Sequence, residues 1–255
     1  MRLDRFLSEQ GIMSRREAAK AAKGGRITVN GDAVRSADIR ISEETDIVAI
    51  DGATVEWRRF VYIMLSKPEG YISATDDPRE KTVLELISER DRKIGLFPCG
   101  RLDKDSTGLM LLTNDGALAH RLLSPKYHCE KRYIVNIAKP IEDEGIISRL
   151  ESGVDIGGEI TRPARFTPMT PTRFEVTLRE GRYHQIKRMF ESVGNKVVTL
   201  RRVSFAGIEL DPRLKSGEWR YLTDDEISAL RAAAGAAEAG AEAGAAEAAA
   251  GAGEE

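Results

Sequence analysis

The chain has 255 residues, which is long enough to bury a sizeable core in one or two domains. Its formal net charge of −2 reflects five glutamates beyond Arg231, where no Lys or Arg occurs; the remainder carries 39 basic against 36 acidic residues, a balance too even to predict nucleic-acid binding by itself. Composition argues against a membrane-spanning, secreted or metal-binding protein. No apolar stretch reaches membrane-spanning length, the polar first residues do not resemble a signal peptide, and two cysteines without metal-ligand spacing favour a reducing cytosol.

The first sixty residues predict a module of two helices and a small hairpin. The spacing of its first apolar residues predicts a short helix that ends at Gly11, and residues 14–17, Ser-Arg-Arg-Glu, form a capping-box pattern that begins a second helix. Strands are predicted over residues 27–29 and 47–50. The pair Asn30-Gly31 is a strong signal for a hairpin turn.

Basic residues are concentrated in this module. Residues 1–40 contain nine Lys or Arg against five acidic residues. Arg16, Lys20 and Lys23 are spaced to share one face of the second helix. A basic helix face seen alone is explained as well by solvation as by binding. The module by itself therefore leaves both interpretations open.

Residues 57–61 mark the transition to a larger domain that is rich in predicted strands. Strand-like runs occupy residues 61–65, 109–113, 133–137, 174–178 and 197–203. One helix is predicted to begin at Leu118, and a second from the apolar stripe over residues 186–193, which Gly194 closes. Many strands with few, separated helices predict an α+β sheet domain rather than strict βαβ alternation.

The last segment, residues 232–255, contains only Ala, Gly and Glu. Alanine favours helix, but five glycines and the lack of an apolar stripe predict a disordered tail, to which we assign no function. The predicted domain boundaries are residues 1–58, 59–231 and 232–255.

The most informative segment is residues 100–116, which read G-R-L-D-K-D-S-T-G-L-M-L-L-T-N-D-G. It places Asp103 in a polar turn directly before the predicted strand at 109–113. A carboxylate on a short loop that a rigid element holds is a common arrangement for catalytic groups.

Spacing alone leaves other roles open for Asp103. An Asp in a turn is most often a cap or an Asx-turn residue. A calcium loop that starts at Asp103 fails, because its fifth position is Thr107 and its twelfth, which requires a bidentate Glu, is Asn114. A glycosidase-type pair with Asp105 is geometrically possible, although such pairs are normally assembled from distant parts of the chain.

The residues of this segment resemble the central motif of the RsuA/RluB/RluE/RluF-type pseudouridine synthases. Three further segments resemble the other motifs of that family in the same order: residues 67–71, 130–133 and 180–189. The similarity extends over most of the chain before the tail. Within the family, residues 76–78, 128–131 and 182–190 look most like the branch that modifies small-subunit ribosomal RNA.

The resemblance implies an α+β protein with two domains. The first is a small helix-helix-hairpin RNA-binding domain of the type named after ribosomal protein S4. The second is a pseudouridine synthase catalytic domain, built on a mostly antiparallel or mixed sheet with flanking helices.

The implied reaction isomerises a specific uridine of ribosomal RNA to pseudouridine. The bond from N1 to the sugar breaks, the uracil turns while bound, and C5 bonds to the same sugar carbon. Nothing is oxidised and no group is imported, so neither a cofactor nor a metal is expected. Resemblance favours uridine 516 of 16S ribosomal RNA, with 23S ribosomal RNA as the alternative. A catalytically silent assembly factor and a nucleoside glycosylase are the competing functional classes.

Three catalytic roles follow from the resemblance. Asp103 is the catalytic carboxylate, which could add to the sugar, add to the base or remove the 2′-proton. Tyr133 corresponds to the active-site tyrosine, whose ring would stack on the flipped base. Lys187 would keep Asp103 ionised, and the adjacent Arg188 is the alternative partner. His184 has the chemistry of a proton shuttle but is predicted to be structural.

Substrate contacts are predicted in both domains. Arg101 is expected to fill the space left by the flipped base or to hold its phosphate, and Arg188 to bind substrate. In the first domain we expect four side chains to contact RNA phosphates: Arg15, Arg16, Lys20 and Arg26. We expect a cytoplasmic monomer that acts on small-subunit ribosomal RNA or the assembling subunit, and not on a membrane.

Overall fold

The computed structural model describes residues 1–124, 127 and 129–235. The chain divides into two compact units. The first comprises Met1–Val61 and Ile87–Leu96, and the second comprises Tyr62–Leu86 and the chain from Phe97 onward. The grouping of residues 87–96 with the N-terminal residues was not predicted, since they lie within the predicted catalytic domain.

The first unit contains helices α1 (Leu3–Glu9), α2 (Arg15–Lys23) and α3 (Glu89–Arg92), and strands β1 (Ile27–Val29), β2 (Asp32–Ala33), β3 (Val48–Ile50) and β4 (Ala53–Thr54). The strands form an antiparallel sheet in the order β2-β1-β3-β4. Apolar residues from both long helices and from β1 and β3 make one core, which includes Leu3, Phe6, Ala18, Ile27 and Val48. The predicted helix-helix-hairpin arrangement is confirmed.

Local sequence explains the boundaries of these elements. The capping box forms as predicted: the backbone N–H of Ser14 donates to Glu17 at 2.7 Å, and the N–H of Glu17 donates to the Ser14 hydroxyl at 3.3 Å. The turn between β1 and β2 has positive φ at both central residues, 53° at Asn30 and 90° at Gly31. A two-residue turn of this kind matches the twist of the flanking strands.

Gly11 explains how residues 87–96 join the first unit. The Gly11 backbone has φ 65°, and a side chain there would collide with the carbonyl of Arg90. The guanidinium of Arg90 in turn donates to the carbonyl of Gln10 at 3.4 Å. This close approach of two backbones depends on a residue without a Cβ.

The second unit contains a 3₁₀ helix (Val83–Leu86), α4 (Gly116–Leu123), α5 (Glu144–Ser152), α6 (Gln185–Ser192) and strands β5 (Tyr62–Lys67), β6 (Phe97–Cys99), β7 (Thr107–Thr113), β8 (Lys131–Ile137), β9 (Arg165–Thr170), β10 (Arg173–Leu178), β11 (Val197–Phe205), β12 (Ile208–Glu209) and β13 (Trp219–Tyr221). Its described residues form a nine-stranded sheet with the central order β13-β5-β7-β11-β8-β10-β9; β12 pairs with β11, and β6 with β7. Strands β7 and β11 are parallel, whereas the other neighbours are antiparallel. The α+β prediction with a mixed sheet is therefore confirmed.

The parallel contact between β7 and β11 lies next to the segment that carries Asp103. Arg201 and Arg202 pair there with Thr107 and Gly108. Gly108 has φ 102°, and a side chain at this position would collide with the backbone of Arg202. The two strands approach closely only because position 108 carries no side chain.

A helical segment over residues 224–235 follows the sheet. It buries Leu230 and Ala234. The predicted tail therefore starts too early, because residues 232–235 belong to this helix; residues 236–255 lie outside the described residues. In the part of the chain that the structure describes, no helix is both long and apolar enough to cross a membrane.

Candidate active site

A cavity of about 600 Å³ lies on the sheet of the second unit. This volume is in the range of small-ligand sites, about 300–1,000 Å³. Its walls come from the loop at residues 100–106, from strands β8 and β11, and from residues 178–186 before and at the start of α6. Asp103 and Tyr133, which are 30 positions apart in the chain, both line it.

Lys187 on α6 joins the two carboxylates of the loop. Its ammonium lies 3.1 Å from Oδ2 of Asp103 and 2.6 Å from Oδ1 of Asp105. Burial opposes the charge of Lys187, but the bonds to Asp105 and Asp103 overcome it and raise its pKa above the ordinary value. The hydrogen bond from Lys187 lowers the pKa of Asp105. The site therefore holds a lysinium between two carboxylates.

Arg188 does not share this position. Its guanidinium fills the space beside Gly157, where a side chain at position 157 would collide with it. It is not among the residues that line the cavity. The structure thus gives the ion pair with Asp103 to Lys187 rather than to Arg188, and the predicted binding of substrate by Arg188 stays a prediction.

His184, which was predicted to be structural, lies beside Asp103. Its backbone is left-handed, with φ 50°, at the residue that precedes α6. Nε2 lies 3.4 Å from Oδ1 of Asp103, and the imidazole stacks on the exposed ring of Tyr183 at 3.8 Å between centroids. The imidazole therefore faces the carboxylate and also lines the cavity.

Lys67 fixes the loop that carries Asp103, a role that the sequence alone did not reveal. Its side chain is 1% exposed at the end of β5. Its ammonium donates to the carbonyl oxygens of Pro68, Asp103 and Ser106 at 3.1, 3.0 and 2.8 Å. Burial lowers the pKa of Lys67 to about 8, while the nearby Asp103 and Asp105 act in the opposite direction. In the sequence, the only indication of this role was the position of Lys67 at the start of residues 67–71, the first segment that resembles a family motif.

Tyr133 and Arg101 both line the cavity but differ in exposure. Tyr133 belongs to the buried face of β8 and is 8% exposed. Arg101 is exposed and lines the cavity from the loop. An aromatic ring inside and a cation at the rim suit a base within and a phosphate outside.

The four basic residues predicted to contact RNA in the first unit differ in their availability. Arg15, Arg16 and Lys20 are exposed on α2, whose opposite face is buried. Arg26 is also exposed, but its Nε donates to Asp51 at 2.9 Å and its terminal nitrogen pairs with the same carboxylate. Its charge is therefore already compensated by Asp51, and the predicted contact of Arg26 with RNA phosphates stays a prediction.

Among residues 1–124, 127 and 129–235, no cluster of His, Cys, Asp or Glu side chains could hold a metal ion. Asp103 and Asp105, the one close acidic pair considered above, bind the same ammonium group instead.

Comparison with known proteins identifies two family models. Residues 61–192 match the model described as RNA pseudouridylate synthase, and residues 1–47 match the S4 domain. Ribosomal small subunit pseudouridine synthase A of Escherichia coli strain K12 is 44% identical over 233 residues, covering 90% of this chain and 100% of that protein. The uncharacterized RNA pseudouridine synthase YtzG of Bacillus subtilis strain 168 is 43% identical, covering 90% of this chain and 98% of that protein.

A solved structure agrees with these matches. A crystal structure described as a pseudouridylate synthase superposes with a TM-score of 0.64 at 39% identity, and the alignment covers 90% of this chain and 99% of that one.

Proposed function

Because the chain belongs to the RNA pseudouridylate synthase family, we propose that it converts uridine 516 of 16S ribosomal RNA to pseudouridine, with Asp103 as the catalytic carboxylate. Members of this family are isomerases that act on RNA. The observation that carries the assignment of Asp103 is its position on the cavity wall, 3.1 Å from Lys187. The similarity to the small-subunit synthase of Escherichia coli supports the choice of target.

The cavity suits a base that has been turned out of folded RNA. Chemistry at a paired or stacked base requires such a flip, after which the base lies against an aromatic ring. Tyr133 offers that ring, and Arg101 at the rim can hold the phosphate beside the flipped nucleotide. The S4 domain supplies exposed cations for more distant phosphates.

The reaction balances without any added group. The bond between N1 and C1′ breaks with its electron pair on the uracil, the uracil rotates, and C5 forms the new bond to C1′. C5 then loses its proton and N1 gains one. Addition of Asp103 to the sugar, its addition to the base and its removal of the 2′-proton all use an ionised carboxylate, and Lys187 offsets its charge.

The test of this assignment compares Asp103→Asn with Asp105→Asn. Both carboxylates bind Lys187, but only Asp103 lines the cavity. We expect Asp103→Asn to abolish pseudouridine formation while the dissociation constant for RNA changes by about threefold or less, and Asp105→Asn to keep most of the activity. Chemical mapping of pseudouridine in a 16S fragment measures the activity of both variants, and a binding titration with the same fragment measures the dissociation constant. Normal modification by Asp103→Asn would refute the assignment.

Two further measurements separate the competing functions. A glycosylase releases free uracil, whereas an isomerase releases none and leaves the mass of the RNA unchanged. Mapping of pseudouridines in a strain that lacks this protein tests the target: we expect loss of the signal at uridine 516. Loss of a signal in 23S ribosomal RNA would instead support the alternative target, and an unchanged map would support the non-catalytic assembly factor.

A further inference from the structure

Two cations on β8 and β11, the floor cations, line the cavity next to Tyr133. Lys131 on β8 and Arg202 on β11 both line it, and Arg202 is only 1% exposed. Across the two strands, Tyr133 pairs with Arg202 and Lys131 pairs with Phe205. A bulge between Arg202 and Ser204 lets Arg202 and Phe205 face the same side, although they are three positions apart. The register thus gathers both cations on one face of the sheet.

The floor cations are held by backbone carbonyls and an aromatic ring, and Glu180, which also lines the cavity, acts on Lys131 only from beyond ion-pair distance. The ammonium of Lys131 donates to the carbonyl of Cys129 at 3.0 Å, and Nε of Arg202 donates to the carbonyl of Leu109 at 2.8 Å. Both lie over the ring of Phe205, at 5.5 and 5.2 Å from its centroid. Among the described residues, neither has a carboxylate partner.

The opposite face of the same strand is different. Arg132, the neighbour of Lys131, pairs with Glu175 at 3.4 Å and with Glu209. Arg132 on one face of β8 is therefore ion-paired, whereas Lys131 on the cavity face is bonded only to a backbone carbonyl. Burial, assisted by the proximity of Arg202, lowers the pKa of Lys131, as expected where two cations share a site. Such an arrangement is costly unless a ligand supplies negative charge or strong acceptors.

The burial of the floor cations selects the part of the nucleotide that can reach them, since Arg202 is buried and Lys131 is half-buried. A phosphate is bonded to two sugars of the RNA chain and stays near the rim, whereas a flipped base projects away from the backbone. Uracil carries two carbonyl oxygens, which accept hydrogen bonds. When the bond between N1 and C1′ breaks with its electron pair on the base, those oxygens share the negative charge.

We propose that Lys131 and Arg202 are catalytic residues for the base half of the reaction: they donate to the carbonyl oxygens of the flipped uracil and stabilise the negative charge that it carries after the glycosidic bond breaks. This inference rests on the proposed function. The charge disappears when C5 bonds to C1′ and the C5 proton is lost. The floor cations then serve the leaving base, whichever of its three roles Asp103 performs.

The test uses the alternation of side chains between the two faces of strands β8 and β11. Lys131→Met and Arg202→Met remove the floor cations, and Arg132→Met and Arg201→Met remove their neighbours from the opposite face. We expect each floor variant to lower the single-turnover rate of pseudouridine formation by about 100-fold, the usual size for one lost charge-stabilising donor, and to change the RNA dissociation constant by about threefold or less. The two neighbours should leave the rate nearly unchanged.

A separate experiment checks that each variant folds. Arg202→Met leaves the carbonyl of Leu109 without its donor, so thermal unfolding is measured for every variant. Lys131→Met alone carries the test if Arg202→Met fails to fold, and Lys131→Arg should recover much of the rate because it restores the cation. A folded Lys131→Met with the rate of the wild type overturns the inference, as does an equal loss in Arg132→Met. A wild type that binds RNA without isomerising it instead overturns the proposed function, and the inference with it.

Discussion

The two units of the molecule use positive charge in opposite ways. In the first unit, Arg15, Arg16 and Lys20 stand exposed on one helix, where water and salt screen them. In the second unit, Lys67 and Lys187 are buried or half-buried and make short bonds to fixed oxygen atoms. Exposed cations of the first kind contribute to affinity in small, nearly additive steps. Each buried cation of the second kind holds a particular group of the active site in place. Single substitutions of these cations should therefore change the reaction rate or the stability much more than single substitutions on the exposed helix change affinity.

Among the cations, the largest effect is expected at Lys187. Lys187→Met leaves Asp103 and Asp105 side by side without their shared cation, and we expect the single-turnover rate to fall about 1,000-fold. Lys187→Arg should retain part of the activity because a charge remains. Arg188→Met is the matched control, since Arg188 lies beside Gly157 instead. The assignment is wrong if Arg188→Met is the more damaging substitution.

Lys67 should affect stability, with a distinct dependence on pH. Lys67→Met leaves the carbonyls of Asp103 and Ser106 without their donor, and we expect it to lower the free energy of unfolding by about 1–3 kcal/mol near neutral pH. In the folded wild type the pKa of Lys67 is about 8, below its ordinary value of 10.5. The unfolded chain therefore binds more protons between these values, and this side chain makes stability rise with pH in that window.

Denaturant unfolding at several pH values tests the predicted direction of this pH dependence. Below about pH 8 the cost of the buried charge is fully present, and between about pH 8 and 10.5 it is relieved. The advantage of the wild type over Lys67→Met should consequently grow as the pH rises through this window. A difference between wild type and Lys67→Met that does not change with pH would contradict the prediction.

The smallest effect is expected on the exposed helix of the first unit. The double substitution Arg16→Ala with Lys20→Ala should weaken RNA binding several-fold and reduce the slope of log affinity against log salt by about 1.5. Arg26→Ala should change the slope less, because Arg26 is already paired with Asp51. Titrations at several salt concentrations measure both. An unchanged slope in the double variant would show that these cations do not contact phosphates.

Prediction from sequence succeeded where the determining interactions are local. The capping box at Ser14, the turn at Asn30-Gly31 and the apolar run before Thr113 each contain their own reason to form. The strands that were not predicted, such as Phe97–Cys99 and Arg165–Thr170, lack a clear apolar alternation and acquire their conformation from the strands beside them.

The sequence by itself determined the two-domain α+β plan and pointed to Asp103, through a motif long enough to be distinctive. Only the tertiary structure decided that Lys187 rather than Arg188 meets Asp103, and that Lys67 holds the loop from 36 positions away. It also placed Lys131 and Arg202 on one face of the sheet, through the register of β8 against β11. Local patterns record the preferences of neighbouring residues, whereas the pairing of distant strands sets which charges meet and which remain without a partner.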